Sequence, residues 1–394
     1  MLQLPRRLQS IDVFRAVTMF FMIFVNDVDG VEKIPAWIKH VSADTDGLGF
    51  ADTIFPAFLF IVGLSIPFAL TKRMQSGENK SKIAWHIILR SLALIVMGFF
   101  HVNLENYSDT ALLPHAVFEI ITTLAFFLIW LDYKSGVPKI LQNILQVSGI
   151  IILIVLAFLY KGESDGEVIG LRTHWWGILG LIGWAYLTCA LVYLFTNGKL
   201  KTQLVVLILF LAYNMLRTAG MLDFLSPLLR YCWFIGSGSE VSLIMSGIVV
   251  SLIYKNNKHE QKKNFFPVIL LIAVAMLAFG FITRPVGGIS KIHATPSWTA
   301  ICTGISILVF ALLIFIVDIK GKTKWFNVIK PAGTSTLTCY LIPYFLYSLM
   351  VMLHFQYPVF LNEGIGGLLR SFAVSFIVIF ITGFFERKDL RLKI

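Results

Sequence analysis

Apolar stretches about as long as a bilayer is thick recur from one end of this chain to the other. They fall near residues 11–28, 50–71, 83–102, 114–131, 140–160, 175–196, 203–219, 238–254, 265–283, 298–317, 334–353 and 366–385. A helix needs about 20 predominantly apolar residues to cross the hydrocarbon core. Inside that core the backbone polar groups must be satisfied within the segment, so each stretch predicts a helix. A membrane β-barrel would instead show alternating segments of ~10 residues, and the chain has none. The expectation is an all-α, polytopic transmembrane bundle of about twelve spans, within a range of ten to twelve, forming one domain over 1–394. Composition agrees: 57% of residues are hydrophobic and 14% charged, where soluble domains carry about 25% charged residues. The seventh stretch is broken by Asn214 and Arg217, and Met221 to Gly238 reads as a re-entrant or surface segment.

The charges between the stretches give an orientation, because cytoplasmic loops carry the Lys/Arg excess. Of the 33 basic residues, 22 fall in one alternating set of loops and termini and eight in the other, counting Arg217 at the end of the seventh stretch with the latter; Arg15, Arg90 and Arg370 lie inside stretches. Both termini are therefore expected in the cytoplasm, with 29–49, 103–113, 161–174, 220–237, 284–297 and 354–365 facing outward. Six of the eight histidines (His40, His101, His115, His174, His293 and His354) lie on or near that outer side; His86 and His259 do not. The net charge of +11 thus reports topology rather than nucleic-acid binding. The first apolar run follows Arg6 and Arg7, contains Asp12 and Arg15 and lacks a small-residue cleavage site, so it reads as a retained span. No internal repeat is visible.

Ionisable groups inside spans cost about 2.5–3.5 kcal/mol each on insertion scales, which makes each a candidate for function. Asp12 and Arg15 stand at i, i+3 and can pair on one helix face; the alternative is a helix-start charge beside a snorkelling arginine. Asn26 and Asp27 close the same helix, where Asp27 reads as reaching water. Asp52 opens the next helix, a place that the helix dipole alone would favour. Pro56 and Pro67 within that helix predict kinks and freed carbonyls. His40 sits on the connecting loop. By itself it reads as a solvated side chain. Together, His40, Asp52 and Asn26 form a workable acyl-transfer set: a carboxylate to fix the imidazole tautomer, a base, and an amide facing a developing oxyanion.

Other chemistries lack their signatures. There is no Walker A, GxGxxG, HExxH or GxSxG sequence. Cys189, Cys232, Cys302 and Cys339 form no CxxC pair, so neither a metal site nor a disulfide framework is expected. Lys72, Arg73, Lys322, Lys324 and Lys330, with Arg15 and Arg90 inside spans, are candidate ligands for a phosphorylated cofactor; the alternative is that the loop lysines only set topology.

The order Ser10-Ile11-Asp12-Val13-Phe14-Arg15, Val25-Asn26, His40 and Ala51-Asp52-Thr53-Ile54-Phe55-Pro56-Ala57-Phe58-Leu59-Phe60-Ile61-Val62-Gly63 resembles the heparan-alpha-glucosaminide N-acetyltransferase family over roughly the first 75 residues. Ile289 to Trp298, Val317-Asp318 and Lys330 to Thr334 resemble its bacterial branch, while 105–265 matches weakly. The resemblance implies a multi-span membrane enzyme that moves an acetyl group from cytoplasmic acetyl-CoA to an amino sugar or glycan on the far side, with no metal. It places the catalytic histidine on His40, its asparagine on Asn26 and its aspartate on Asp52, with His40 either a general base or a transient acetyl carrier. A lipid-embedded protein is expected, the absence of eukaryotic targeting features points to a bacterial inner membrane, and a homodimer is left open. Two departures bear on the substrate: Asp44-Thr45-Asp46-Gly47 replaces a Trp-Asn-Gly sequence, and Leu112-Leu113-Pro114-His115-Ala116 replaces an Arg-Ile-Pro-Gly type. The competing functional classes are a sugar transporter without acyl transfer and a membrane protein without turnover.

Overall fold

The structure, a computed structural model, describes residues 8–134, 136–256 and 262–394. Arg6, Arg7, Lys258 and His259, counted above, lie outside them. A long helix covers each of the twelve apolar stretches. These are α1 (Gln9–Val28), α2 (Ala51–Gln75), α3 (Lys80–Leu104), α4 (His115–Trp130), α5 (Lys139–Leu159), α6 (Gly177–Phe195), α7 (Leu200–Thr218), α9 (Ser239–Asn256), α10 (Lys262–Thr283), α11 (Pro296–Leu313), α13 (Thr336–Met352) and α14 (Gly364–Arg387). Short α8 (Ser226–Leu229) and α12 (Lys330–Thr334) sit in connections, and β1 (Gly162–Ser164) pairs antiparallel with β2 (Glu167–Ile169) between α5 and α6.

Eight of the described helices are long and apolar enough to cross a membrane: α2, α3, α5, α6, α7, α10, α11 with its extension to Ile319, and α14. α4 and α13 are apolar but shorter. The other two, α1 and α9, carry charged and hydroxyl side chains among their apolar ones. They lie inside the bundle, so other helices rather than lipid surround them. In α9 every residue from Ser239 to Tyr254 is buried. Three of its serines are satisfied by backbone: Ser242 and Ser246 donate to Gly238 and Ser242 carbonyls one turn back, and Ser251 donates across to the Leu64 carbonyl at 3.1 Å, while Ser239 pairs with the Thr299 hydroxyl.

Close helix approach comes from paired glycines, the small-residue packing that membrane bundles favour. A Cβ on Gly63 of α2 would lie 1.9 Å from the Ile244 carbonyl oxygen, and one on Gly247 of α9 would lie 2.1 Å from that of Phe60. Gly98 of α3 meets Gly180 of α6 in the same way, with a Cβ falling 2.2 Å from the Gly180 nitrogen.

α2 keeps its helix through both prolines. Pro56 has no N–H to give the carbonyl four residues back, which belongs to Asp52. The Trp298 indole of α11 donates to that carbonyl at 3.1 Å. At the other end of α11, a π-helical turn (Ile314–Ile319) presents Asp318. Its Oδ1 accepts the Gln9 N–H at 3.1 Å and so caps α1.

Asp27 departs from the sequence expectation. It is buried rather than facing water. Its carboxylate accepts from Tyr347 at 2.8 Å and Ser371 at 2.6 Å, and pairs with Arg370 at 3.2 Å. A carboxylate at the unfavourable end of a helix dipole is held by three donors from α13 and α14. Asn214, which interrupts the seventh stretch, is also buried, and donates to the Ser237 and Ala294 carbonyls at 2.9 Å.

Candidate functional site

The connection between α1 and α2 folds back so that its middle lies over the start of α2. Phe50 N–H donates to the Trp37 carbonyl at 2.7 Å. Gly49 passes so close that a Cβ there would lie 2.0 Å from the Lys39 carbonyl oxygen. This close approach puts His40 beside Asp52. His40 Nδ1 lies 2.7 Å from Asp52 Oδ1, while Oδ2 accepts the Val41 and Gly49 N–H groups, each at 3.1 Å. The Asp52 side chain is 2% exposed and that of His40 is 31% exposed. Asp52 is thus fully committed, and the imidazole is oriented with Nδ1–H donated to it. Nε2 keeps its lone pair, the tautomer a general base needs.

Asn26 opens onto the same cavity, of about 860 Å³, which His40, Lys291, His293, Glu240 and Trp298 also line. The two expected partners of His40 therefore divide. Asp52 touches the imidazole, and Asn26 shares its cavity.

A second cavity of about 420 Å³ is lined by Arg15, Arg90, Ser65, Tyr186, Gly333 and Lys393. Met22 and Ile178 line both cavities, so the two meet at that wall. Arg15 pairs with Asp12 at 3.3 Å, as the i, i+3 spacing allows, and also donates to Ser65 Oγ at 2.9 Å and to the Gly333 carbonyl at 3.3 Å. The Arg90 guanidinium lies over the Tyr186 ring, 5.2 Å from its centroid. The other basic candidates stand outside these linings. Lys72, Lys324 and Lys330 are exposed, and Arg73 lies 3.8 Å from Glu78. Among the described residues, no group of three or more His, Cys, Asp or Glu side chains is placed to hold a metal ion.

Sequence reasoning passed over Lys291, which it counted only among outward charges. Its Nζ lies 3.2 Å from His40 Nδ1 and 3.5 Å from Nε2. Burial pushes this ammonium down from its ordinary value, while Asp52 and Asp29 pull it back up. The loop that carries it is tied to the histidine loop by Asp46. Asp46 accepts the Ile289 N–H at 2.7 Å and the Arg284 guanidinium at 2.9 Å, and Gly47 N–H reaches the Ile289 carbonyl at 3.1 Å. The Ile289 N–H and then Arg284 hold the Asp46 carboxyl below its usual range. The Asp44–Gly47 departure therefore has a structural task. The available signal was the Ile289 to Trp298 stretch, which carries both Lys291 and the Trp298 that binds the Asp52 carbonyl.

Comparison with known proteins agrees with the resemblance. Human heparan-alpha-glucosaminide N-acetyltransferase is 41% identical over 104 residues, 26% of this chain and 15% of that protein. The mouse protein of the same name is 40% identical over 101 residues, 26% of this chain and 14% of its own length. The similarity thus covers about a quarter of the chain and a much smaller share of these relatives. A family model described as a domain of unknown function, DUF5009, matches residues 7–222, more than half of the sequence. With a helical membrane bundle and a match of that extent, the chain belongs to the DUF5009 family.

Proposed function

We propose that the protein is a membrane-bound acyltransferase that moves an acetyl group from acetyl-CoA to an amino sugar or glycan on the opposite side of the membrane. The observation that carries this is the oriented His40–Asp52 pair opening on a cavity that abuts a second one lined by Arg15 and Arg90. The second cavity takes the donor, with its arginines facing phosphate groups. Asn26 stands eleven residues beyond Arg15 on α1, which is about 16 Å along a helix axis, a distance suited to an extended pantetheine arm. Lys72, Arg73, Lys324 and Lys330 draw the polyanion towards the mouth rather than hold it.

The acceptor nitrogen adds to the thioester carbonyl carbon while His40 Nε2 takes its proton. Asn26 faces the tetrahedral oxygen. As that intermediate collapses, the C–S bond breaks and the His40 proton passes to the thiolate sulfur, leaving the amide and free CoA. This scheme needs about twelve crossings, cytoplasmic termini and a donor entering from the cytoplasm, in a bacterial inner membrane. The loop charges support that arrangement, and labelling of single cysteines in 29–49 and 320–330 from either side of sealed vesicles tests it.

Membranes incubated with labelled acetyl-CoA and glucosamine should yield N-acetylated product, and His40→Ala should abolish it in correctly folded protein. The abutting cavities also suit a sugar transporter. Uptake of labelled N-acetylglucosamine unaffected by His40→Ala, with no CoA released, would establish that alternative.

A further inference from the structure

We infer that Lys291 is a catalytic residue of this centre, its ammonium supplying the positive charge that meets the tetrahedral oxygen and the departing thiolate. This inference rests on the acyl-transfer assignment and adds a residue to which the sequence reading gave no catalytic role.

The case is geometric. Lys291 Nζ lies within 3.5 Å of both imidazole nitrogens of His40 and lines the same cavity. In the addition step the acceptor nitrogen must sit in hydrogen-bond reach of Nε2. The oxygen that gains charge is attached to the carbon bonded to that nitrogen. A donor 3.5 Å from Nε2 therefore reaches the oxyanion without a change of fold. A fixed charge in a partly dehydrated site is also worth more than the same charge in water. Asp46 supplies the fixing, since it ties the Lys291 loop to the His40 loop through Ile289 and Arg284.

Lys291 keeps its proton throughout. The carbonyl π electrons move to oxygen beside the ammonium, and return to reform the carbonyl as the C–S bond breaks. The proton balance stays between the acceptor nitrogen, His40 and sulfur. Asn26 then acts as the second donor. The groups that bear on the charge of Lys291 are His40 from the same cavity wall, Asp52 from α2, Asp29 after α1 and Cys302 from α11. Burial is the largest influence and lowers the pH at which the amine loses its proton. Activity should consequently fall on the alkaline side below the ordinary lysine value of about 10.4.

The test uses the full-length protein in detergent with acetyl-CoA and glucosamine. Lys291→Met should lower kcat roughly 100-fold with the KM values within about threefold. Lys291→Arg, whose charge persists to higher pH, should recover much of the rate and lose the alkaline limb. If Lys291→Met keeps the wild-type kcat while His40→Ala abolishes transfer, this inference is overturned and the acyltransferase assignment stands. If both variants transfer at the wild-type rate, the assignment itself falls. Equal loss in Lys291→Met and Lys291→Arg, with an unchanged alkaline limb, would overturn an electrostatic role.

Discussion

Two buried carboxylates stand within one helical hairpin, and their surroundings are opposite in kind. Asp27, near the end of α1, is closed off: Arg370, Ser371 and Tyr347 occupy its oxygens, and the Arg370 side chain is 10% exposed. Asp52, at the start of α2, is as deeply buried, but the partner it orients is not. His40 remains 31% exposed and faces a large cavity, with Lys291 beside it. In the first cluster all charge is spent within the fold. In the second, fixed groups support a side chain that still has a lone pair to give. Burial of a carboxylate therefore does not distinguish a strut from a candidate catalytic centre. What its partner faces does.

The widest separation between the clusters should come from His40→Ala and Asp52→Asn, read as the rate of N-acetylglucosamine formation. Loss of the base in His40→Ala should abolish transfer. Asp52→Asn should cost about 1,000-fold or more, because an amide can hold the wrong tautomer. Thermal unfolding in detergent should change little for His40→Ala. Next comes Asp27→Asn, which leaves Arg370 buried without its charge partner and should lose about 3–5 kcal/mol of stability. Activity per folded molecule should stay within about threefold. An Asp27→Asn protein that keeps its melting temperature and loses turnover would erase the contrast. Gly49→Ala forces a methyl against the Lys39 carbonyl and should lower activity tenfold or more by moving His40 from Asp52. The smallest effect is expected of Glu78→Ala, which removes the loose Arg73 pair and should shift stability by under about 1 kcal/mol.

The helices were legible because apolar runs and loop charges are local signals. All twelve stretches carry a helix, and the Met221–Gly238 segment is a 3-10 turn, the short α8 and connecting chain. The failures share one physical cause. Asp27 was read as reaching water, but Tyr347, Arg370 and Ser371 of other helices surround it, and Asn214 was read as a break in its stretch, but the Ser237 and Ala294 carbonyls of distant connections receive its amide. His40 and Asp52 were within reach of sequence reasoning because twelve residues separate them. Lys291 is 251 residues from His40, and no local pattern reports that meeting. Arg15 and Arg90 share a cavity for the same non-local reason, whereas Lys72 and Lys324 were chosen for charge alone.

The wall at Met22 and Ile178 has an electrical consequence. Wet vestibules on either side of that wall would concentrate much of the membrane voltage across it. Moving one elementary charge through 100 mV takes about 2.3 kcal/mol. A protonated amine or a phosphate would have to perform or recover that work, whereas an acetyl group crosses electrically silent.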